Sequence, residues 1–406
     1  MGQRKALQGI KVIELGDYIS APFCARVLAD LGADVTKVEP PDGGDSSRRN
    51  GPFPGDEPNA EASGLFLFLN TGKRGVTLNI ETATGRELLM RLLEDADVLV
   101  ENAPTATMER LGLGYASIQA RFPRLVVASL SPFGRTGPYK DYAGHDLNVQ
   151  AAGGISIGVG LPDKGPVAVP YSQADFMTGL AGAASTLIAL LARESTGRGQ
   201  LVDVAGSQVL AVLISFVYFL PNFIYRGVAG TRKGRRGGEA YFPNTIMRCK
   251  DGFVCLYPLQ MHQYLRFLEL IGNPEWQEDP RYRDRRAMAE QYPDEAEALI
   301  SPWFLERTKE EIFRVCMEHK VPCAPVRTIG EVVQDPHLVT RGFYVEIEHP
   351  VAGKLTHPGS PFRLSKTPGV VKGAAPLLGQ HNAEVYGDWM DMSQEELGRL
   401  RMAGVL

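Results

Sequence analysis

Two hydrophobic periods alternate along the first 130 residues. Residues 10–15, 35–39, 98–100 and 125–130 are short apolar runs of strand type. Residues 21–31 and 84–95 instead carry helical spacing, with Leu88, Leu89, Leu92 and Leu93 on one face and Gly32 stopping the first helix. This β-α-β alternation predicts an α/β fold, a parallel sheet with helices on both faces. The first strand-to-helix turn, Leu15-Gly-Asp-Tyr-Ile-Ser-Ala-Pro22, has one glycine and no G-x-G-x-x-G. A nicotinamide dinucleotide site is therefore poorly supported.

Farther on, residues 40–63 are rich in Pro, Gly, Asp and Ser and read as a long loop, functional or disordered. Residues 174–193 form a helix of small side chains, suited to a crowded interior, followed by a strand at 200–204. The longest apolar stretch, 209–224, holds Pro221, Asn222 and aromatics. It predicts a buried helix and not a membrane span. A glycine-rich basic stretch at 227–238 has the freedom of either a lid or a plain linker. Short strands near 247 and at 253–257 and charged helices to about 320 suggest a second unit. Residues 342–372 read as an extended, proline-punctuated return segment, and 393–402 as a polar amphipathic helix.

The length of 406 residues calls for two or three units. A net charge of −4 gives no general reason to expect nucleic acid. The N-terminal residues are polar and basic without a cleavage pattern, and the five cysteines show no CxxC. We expect a cytoplasmic protein with reduced thiols, no metal site and no membrane contact.

Four places could carry chemistry. Asp175 follows Ser172 by three positions, which fits a capping box at the start of the long helix. The same geometry suits a nucleophile, because a helix N-terminus would hold the carboxylate ionised. His145 and Asp146 in a glycine-flanked loop fit an acid–base pair or a loop anchor equally. Asn102 and Arg110 follow the strand 98–100, at an edge where α/β sheets bind ligands and where arginine suits phosphate. Lys73 and Arg74 form a small basic site whose default reading is solvated surface.

Together these stretches resemble the family III CoA-transferases, the group that includes the formyl-CoA:oxalate, carnitine and benzylsuccinate enzymes. The resemblance is carried by Leu7-Gln-Gly-Ile-Lys-Val-Ile-Glu-Leu15, Leu28-Ala-Asp-Leu-Gly-Ala-Asp-Val-Thr-Lys-Val-Glu39, Met108-Glu-Arg-Leu-Gly-Leu113 and Phe133-Gly-Arg-Thr-Gly-Pro138. Thr196-Gly-Arg-Gly-Gln200, Asp335-Pro-His-Leu338, Pro361-Phe-Arg-Leu-Ser365 and Pro376-Leu-Leu-Gly379 extend it across nearly the whole chain. It implies a Rossmann-like large domain with a parallel sheet, a smaller α+β domain and an interlaced dimer. The expected division is 1–205 for the large CoA-binding domain, 206–224 for a linker helix, 225–335 for the small domain, and 336–406 returning to complete the large domain.

The resemblance further implies a transferase of sulfur-containing groups, moving CoA between an acyl-CoA and a carboxylic acid. Coenzyme A is then substrate and product, not a resident cofactor. The family's nucleophilic aspartate falls on Asp175. Its CoA contacts fall on Leu78, Asn79 and Ile80 near the adenosine, Asn102 and Ala103 near the pantetheine, and Arg110 at the phosphates. Ser20 and Asp146 lie near the thioester, with His145 beside them, and a shielding glycine loop falls on Gly237 and Gly238. The chain departs from the family at Ala103-Pro-Thr-Ala106, where an aromatic and a glycine are replaced, which predicts an altered CoA channel. Ile19 replaces a glutamine that binds oxalate-type substrates in the formyl-CoA enzyme, which predicts a more apolar acyl group.

Two other readings stay open. An α-methylacyl-CoA racemase on the same fold would use His145 and Asp175, but its glutamate partner falls at about Met261 here. The chain could also be one subunit of a heteromeric CoA-transferase.

Overall fold

The computed structural model describes residues 5–215, 220–230, 232–237 and 241–406. They divide into two compact units, Met1–Ile155 with Ala168–Val217 and Thr340–Leu406, and Ser156–Val167 with Tyr218–Val339.

In chain order the first unit holds β1 (Lys11–Leu15), α1 (Ser20–Asp30), β2 (Asp34–Glu39), α2 (Gly64–Leu69), β3 (Arg74–Thr77), α3 (Ala83–Glu94) and β4 (Val98–Glu101). It continues with α4 (Thr105–Arg110), α5 (Tyr115–Arg121), β5 (Val126–Ser131), α6 (Asp146–Ala152), α7 (Gln173–Thr196), β6 (Leu201–Ala205) and α8 (Gly206–Leu210). The six strands form one parallel sheet in the order β3-β2-β1-β4-β5-β6. The direction of winding reverses between β1 and β4, and ligands of such sheets bind outside the carboxyl ends of the strands at that point.

One sheet face is covered by α3, whose Leu88, Leu89, Leu92 and Leu93 are buried with Tyr386, Leu397 and Leu406 from the end of the chain. The other face is covered by α1 and α7. The small side chains of α7 have a steric cause. A Cβ on Gly179 would stand 2.6 Å from the Ser20 carbonyl oxygen, and one on Gly182 would stand 2.8 Å from the Leu130 side chain.

The second unit is a three-stranded antiparallel sheet of β7 (Thr245–Cys249), β8 (Gly252–Leu256) and β9 (Cys323–Pro325). Helices Met261–Leu270, Pro293–Leu305 and Lys309–Glu318 pack their Phe267, Phe304 and Ile312 beneath it. The architecture is thus α/β with a smaller α+β unit.

The extended return segment contains an antiparallel hairpin, β10 (Tyr344–His349) and β11 (Gly353–Pro358). Two sequence expectations are corrected. The described part of the stretch 209–224 is not a buried helix. Among its described residues Val212, Leu213, Phe223 and Ile224 are exposed, and helical geometry passes through a π-helical turn at Ala211–Ser215. Lys73 is not surface, because its side chain is buried, and Arg74 beside it pairs with Asp34 and Glu384.

Lys73 belongs to a buried lattice of charges. Its Nζ meets Glu14 Oε2 at 2.7 Å, the Pro22 carbonyl at 2.8 Å and Asn70 Oδ1 at 2.8 Å. Lys37 Nζ meets Glu14 Oε1 at 2.7 Å, the Gly16 carbonyl at 3.0 Å and Asp45 Oδ2 at 2.6 Å. Arg48 pairs with Glu39 at 2.7 Å and Glu61 at 2.7 Å. Loop 40–63 is thereby pinned to the sheet. Burial pulls the Lys73 ammonium down to about 8, while Asp45 and Glu14 outweigh burial at Lys37 and hold its ammonium above the usual lysine range.

Replacing Lys37 by Met would leave Glu14 and Asp45 short of a shared partner inside the protein. Loss of one partner from a buried pair costs roughly 3–5 kcal/mol. Urea unfolding at pH 7 should register a loss of that size, and a change below about 1 kcal/mol would contradict the lattice's role.

Candidate active site

The residues singled out in the first unit gather in three groups. The first lies at the winding reversal. Asn102 follows β4 and clamps the β1–α1 turn. Its Oδ1 accepts from the Asp17 N–H at 2.9 Å, and its Nδ2 donates to the Asp17 carbonyl at 2.7 Å and to Ser20 Oγ at 3.1 Å. Asp45 accepts the N–H of Tyr18 at 3.1 Å, stabilising that residue's left-handed φ of 67°. Asn102 thus shapes the turn that presents Ser20. Ile19, expected as an apolar lining, is only 2% exposed in the chain itself.

Ala103 opens the segment that departs from the family pattern. Its N–H donates to Glu101 Oε2 at 2.9 Å. Arg135, in the Phe133–Pro138 motif but given no role from sequence, organises this segment. Its guanidinium bonds Glu101, Ser129 Oγ, Thr105 Oγ1 and the Ala103 carbonyl. A buried ion pair therefore holds residues 101–105 without the missing aromatic and glycine.

The second group lies beyond β3. Leu78 is buried in the core, and Asn79 is bound on both sides to the chain terminus, N–H to the Val405 carbonyl at 2.8 Å and Nδ2 to the Gly404 carbonyl at 3.1 Å. Ile80 is partly buried beside them. Arg110 is exposed and forks onto Glu81 at 2.8 and 2.7 Å, so a phosphate would have to compete with that carboxylate.

The third group surrounds Asp175 in the first turn of α7. Ser172 does not cap this helix as its spacing suggests. It sits at φ 50° with no side-chain cap, and Tyr171 before it also lies at φ 68°. The cap comes from Asp146, whose Oδ1 accepts the Ala174 N–H at 2.7 Å. His145 precedes α6 exposed, its N–H held by Asn148 Oδ1 at 3.0 Å. Phe176 meets Phe23 edge-on at 5.0 Å and Phe68 at 6.2 Å, fixing the start of α7 on α1 and α2.

The helix end does not hold the Asp175 carboxyl below the ordinary carboxylate range. Burial, then the negative charge of Asp146, push its carboxyl up to about 6, against a weaker pull from His145. That lies below neutrality, so the carboxylate still dominates at pH 7.

Gly237 lies in the second unit, its N–H on the Asn244 carbonyl at 2.9 Å, while Gly238 is outside the described residues. Among the described residues the basic stretch is tied down. Arg232 donates to the Leu161 carbonyl at 3.2 Å, and Arg235 and Arg236 pair with Glu297. Arg232, Arg236 and Glu297 border a cavity of about 250 Å³ with Tyr241, Asn244 and Thr245.

The sequence profile of CoA-transferase family III matches residues 7–382. The chain is 32% identical to succinyl-CoA–D-citramalate CoA-transferase of Chloroflexus aurantiacus, over 99% of this chain and 98% of that one. It is 34% identical to the beta subunit of succinyl-CoA–L-malate CoA-transferase of the same organism, over 98% of each. A CaiB/BaiF family protein from Brucella suis superposes with a TM-score of 0.84 at 30% identity, covering 95% of this chain and 100% of that structure.

The raised Asp175 carboxyl has a consequence for stability. The folded state holds its proton to about pH 6 and the unfolded chain only to about 4, so stability falls as pH rises through that window. Asp175→Asn should therefore be more stable than the parent at pH 7.5, by at most ~3 kcal/mol, and gain nothing at pH 4. Thermal melting at both values checks this, and a destabilised variant at pH 7.5 would refute it.

Proposed function

This chain belongs to CoA-transferase family III, and we propose that it carries coenzyme A from an acyl-CoA to a second carboxylic acid through the side chain of Asp175. The observation that carries the proposal is the placement of that carboxylate. It sits in the first turn of α7, partly buried, on a helix whose next turn touches Ser20 at the winding reversal.

The reaction then runs in paired exchanges. Asp175 attacks the donor thioester carbonyl, giving a mixed anhydride and CoA thiolate. The thiolate attacks the Asp175 carbonyl, releasing the donor acid and leaving an aspartyl-CoA thioester. The acceptor carboxylate attacks that thioester, and the released thiolate takes the acceptor acyl group, restoring Asp175. An activated acyl bond persists at every stage, so no nucleotide is consumed. Ser20, Asn102 and Ala103 border the pantetheine and thioester. Leu78, Asn79, Ile80 and Arg110 serve the adenosine and phosphates, Arg110 by exchanging Glu81 for phosphate.

For substrates we favour a short dicarboxylic acid on each side, with succinyl-CoA as donor. The two curated relatives above are both named for succinyl-CoA and a hydroxylated dicarboxylate. The relative named as a beta subunit also keeps a heteromeric assembly in play.

We further propose an interlaced dimer. Leu180, Ala184, Ile188 and Leu191 form an exposed apolar stripe along α7, opposite the face packed on α1. Val212 and Leu213, just after α8, are exposed apolar residues too. Ile188→Glu should convert a dimer to a monomer or aggregate in sedimentation, whereas an unchanged dimer would remove this stripe from the interface.

Incubation with a panel of acyl-CoAs followed by hydroxylamine should convert Asp175 to its hydroxamate, detected on the tryptic peptide by mass spectrometry. Asp175→Ala should abolish the adduct and lower turnover by at least ~10³-fold. Exchange of the substrate α-proton with deuterated water and no adduct would instead favour the racemase reading. An adduct seen only after adding a related chain would identify a heteromer.

A further inference from the structure

Gln150 is wholly buried on α6, four residues after Asp146, and no sequence motif marks it. Its carboxamide makes three bonds. Nε2 donates to Asp146 Oδ2 at 2.6 Å and to the Val169 carbonyl at 2.9 Å, while Oε1 accepts the Val169 N–H at 2.8 Å. One side chain therefore joins the carboxylate that caps α7 to the backbone entering the turn before α7.

That turn is strained. Tyr171 and Ser172 are consecutive non-glycine residues at φ 68° and 50°, a region that L side chains adopt only under constraint. Two contacts from α6 supply the constraint. Gln150 grips Val169 before the turn, and Asp146 grips Ala174 after it. Asp175 is the next residue. The direction of its side chain follows from a turn that would relax if either grip were lost. The charged groups that act on Asp175 are Asp146 and His145, both at the start of α6. Fixing α6 against this turn therefore fixes the electrostatics of the nucleophile as well.

We infer that Gln150 is a positioning residue for the Asp175 carboxylate, acting through Asp146 and the Val169 backbone. The inference rests on the transferase reading for its kinetic consequence and not for its structural one, so the two are tested separately.

The structural arm needs no substrate. The pH dependence of carbodiimide labelling of the Asp175 peptide reports the protonation of that carboxyl. In the parent chain its midpoint should lie near 6. Gln150→Leu frees Asp146 to swing away, and the midpoint should fall. In the kinetic arm, with whichever acyl-CoA yields the hydroxamate in the parent, Gln150→Leu should lower the trapping rate by about ten- to a hundredfold. The acyl-CoA concentration at half-maximal rate should change less than about threefold, because Gln150 touches neither the switch-point turn nor the Arg110 region. Asp146→Ala should reproduce both effects, and adding Gln150→Leu to it should cost little more.

If Gln150→Leu does not fold, Gln150→Glu keeps the volume and the acceptor for the Val169 N–H but, ionised, loses both donor bonds. It carries the same kinetic expectation. A parent-like midpoint together with a parent-like trapping rate overturns the inference, as does full additivity of the two substitutions. Absence of any hydroxamate in the parent would count against the transferase reading alone, and the labelling midpoint would still decide the role of Gln150.

Discussion

Helix α7 lies against α1 at a distance that only glycine permits. At Gly179 an added carbon would collide with the backbone oxygen of Ser20, which no side-chain adjustment can relieve. This contact sets where the first turn of α7 can stand. Asp175 lies one turn earlier on the same helix. Phe23, Phe68 and Phe176 close around the same junction and hold its angle.

What α7 rests on is itself held by charge. The β1–α1 turn has a left-handed Tyr18 and leaves backbone carbonyls inside the protein. Lys37 and Lys73 take the carbonyls of Gly16 and Pro22, and Glu14 and Asp45 balance their charge. Buried ion pairs are seldom a net gain in stability over a well-packed apolar core. Their value here is geometric, since several carbonyls and amides of an irregular loop find partners that apolar side chains could not supply. Both the β1–α1 turn and the turn before α7 are irregular backbone clamped by polar side chains, and the second leads directly into Asp175.

The regular part of this architecture was legible in the sequence because burial imposes a period. Leu88, Leu89, Leu92 and Leu93 marked the inner face of α3, and the glycines and alanines of α7 announced a close contact, though not with what. The bonds around the candidate site residues were not legible in the same way. Ser172 had the right spacing to cap α7, but the actual cap, Asp146, comes from 28 positions upstream. Lys73 looked like a surface lysine in a glycine turn, and its carboxylate partner lies 59 positions away. Local pattern carries no information about such pairs. The apolar run 209–224 misled for a related reason: apolar composition does not say which of its residues this chain buries.

The central claim is that the Asp175 carboxyl exchanges its own oxygens during transfer. The most direct measurement supplies an acceptor acid labelled with ¹⁸O in its carboxylate, allows many turnovers, and determines the mass of the Asp175 peptide. The sequence of anhydride and thioester leaves the acceptor's bridging oxygen on Asp175 after each cycle. The peptide should therefore gain ¹⁸O, with fragmentation placing it in that side chain. Turnover with no ¹⁸O entering Asp175 would contradict the account and require direct transfer between the two acids.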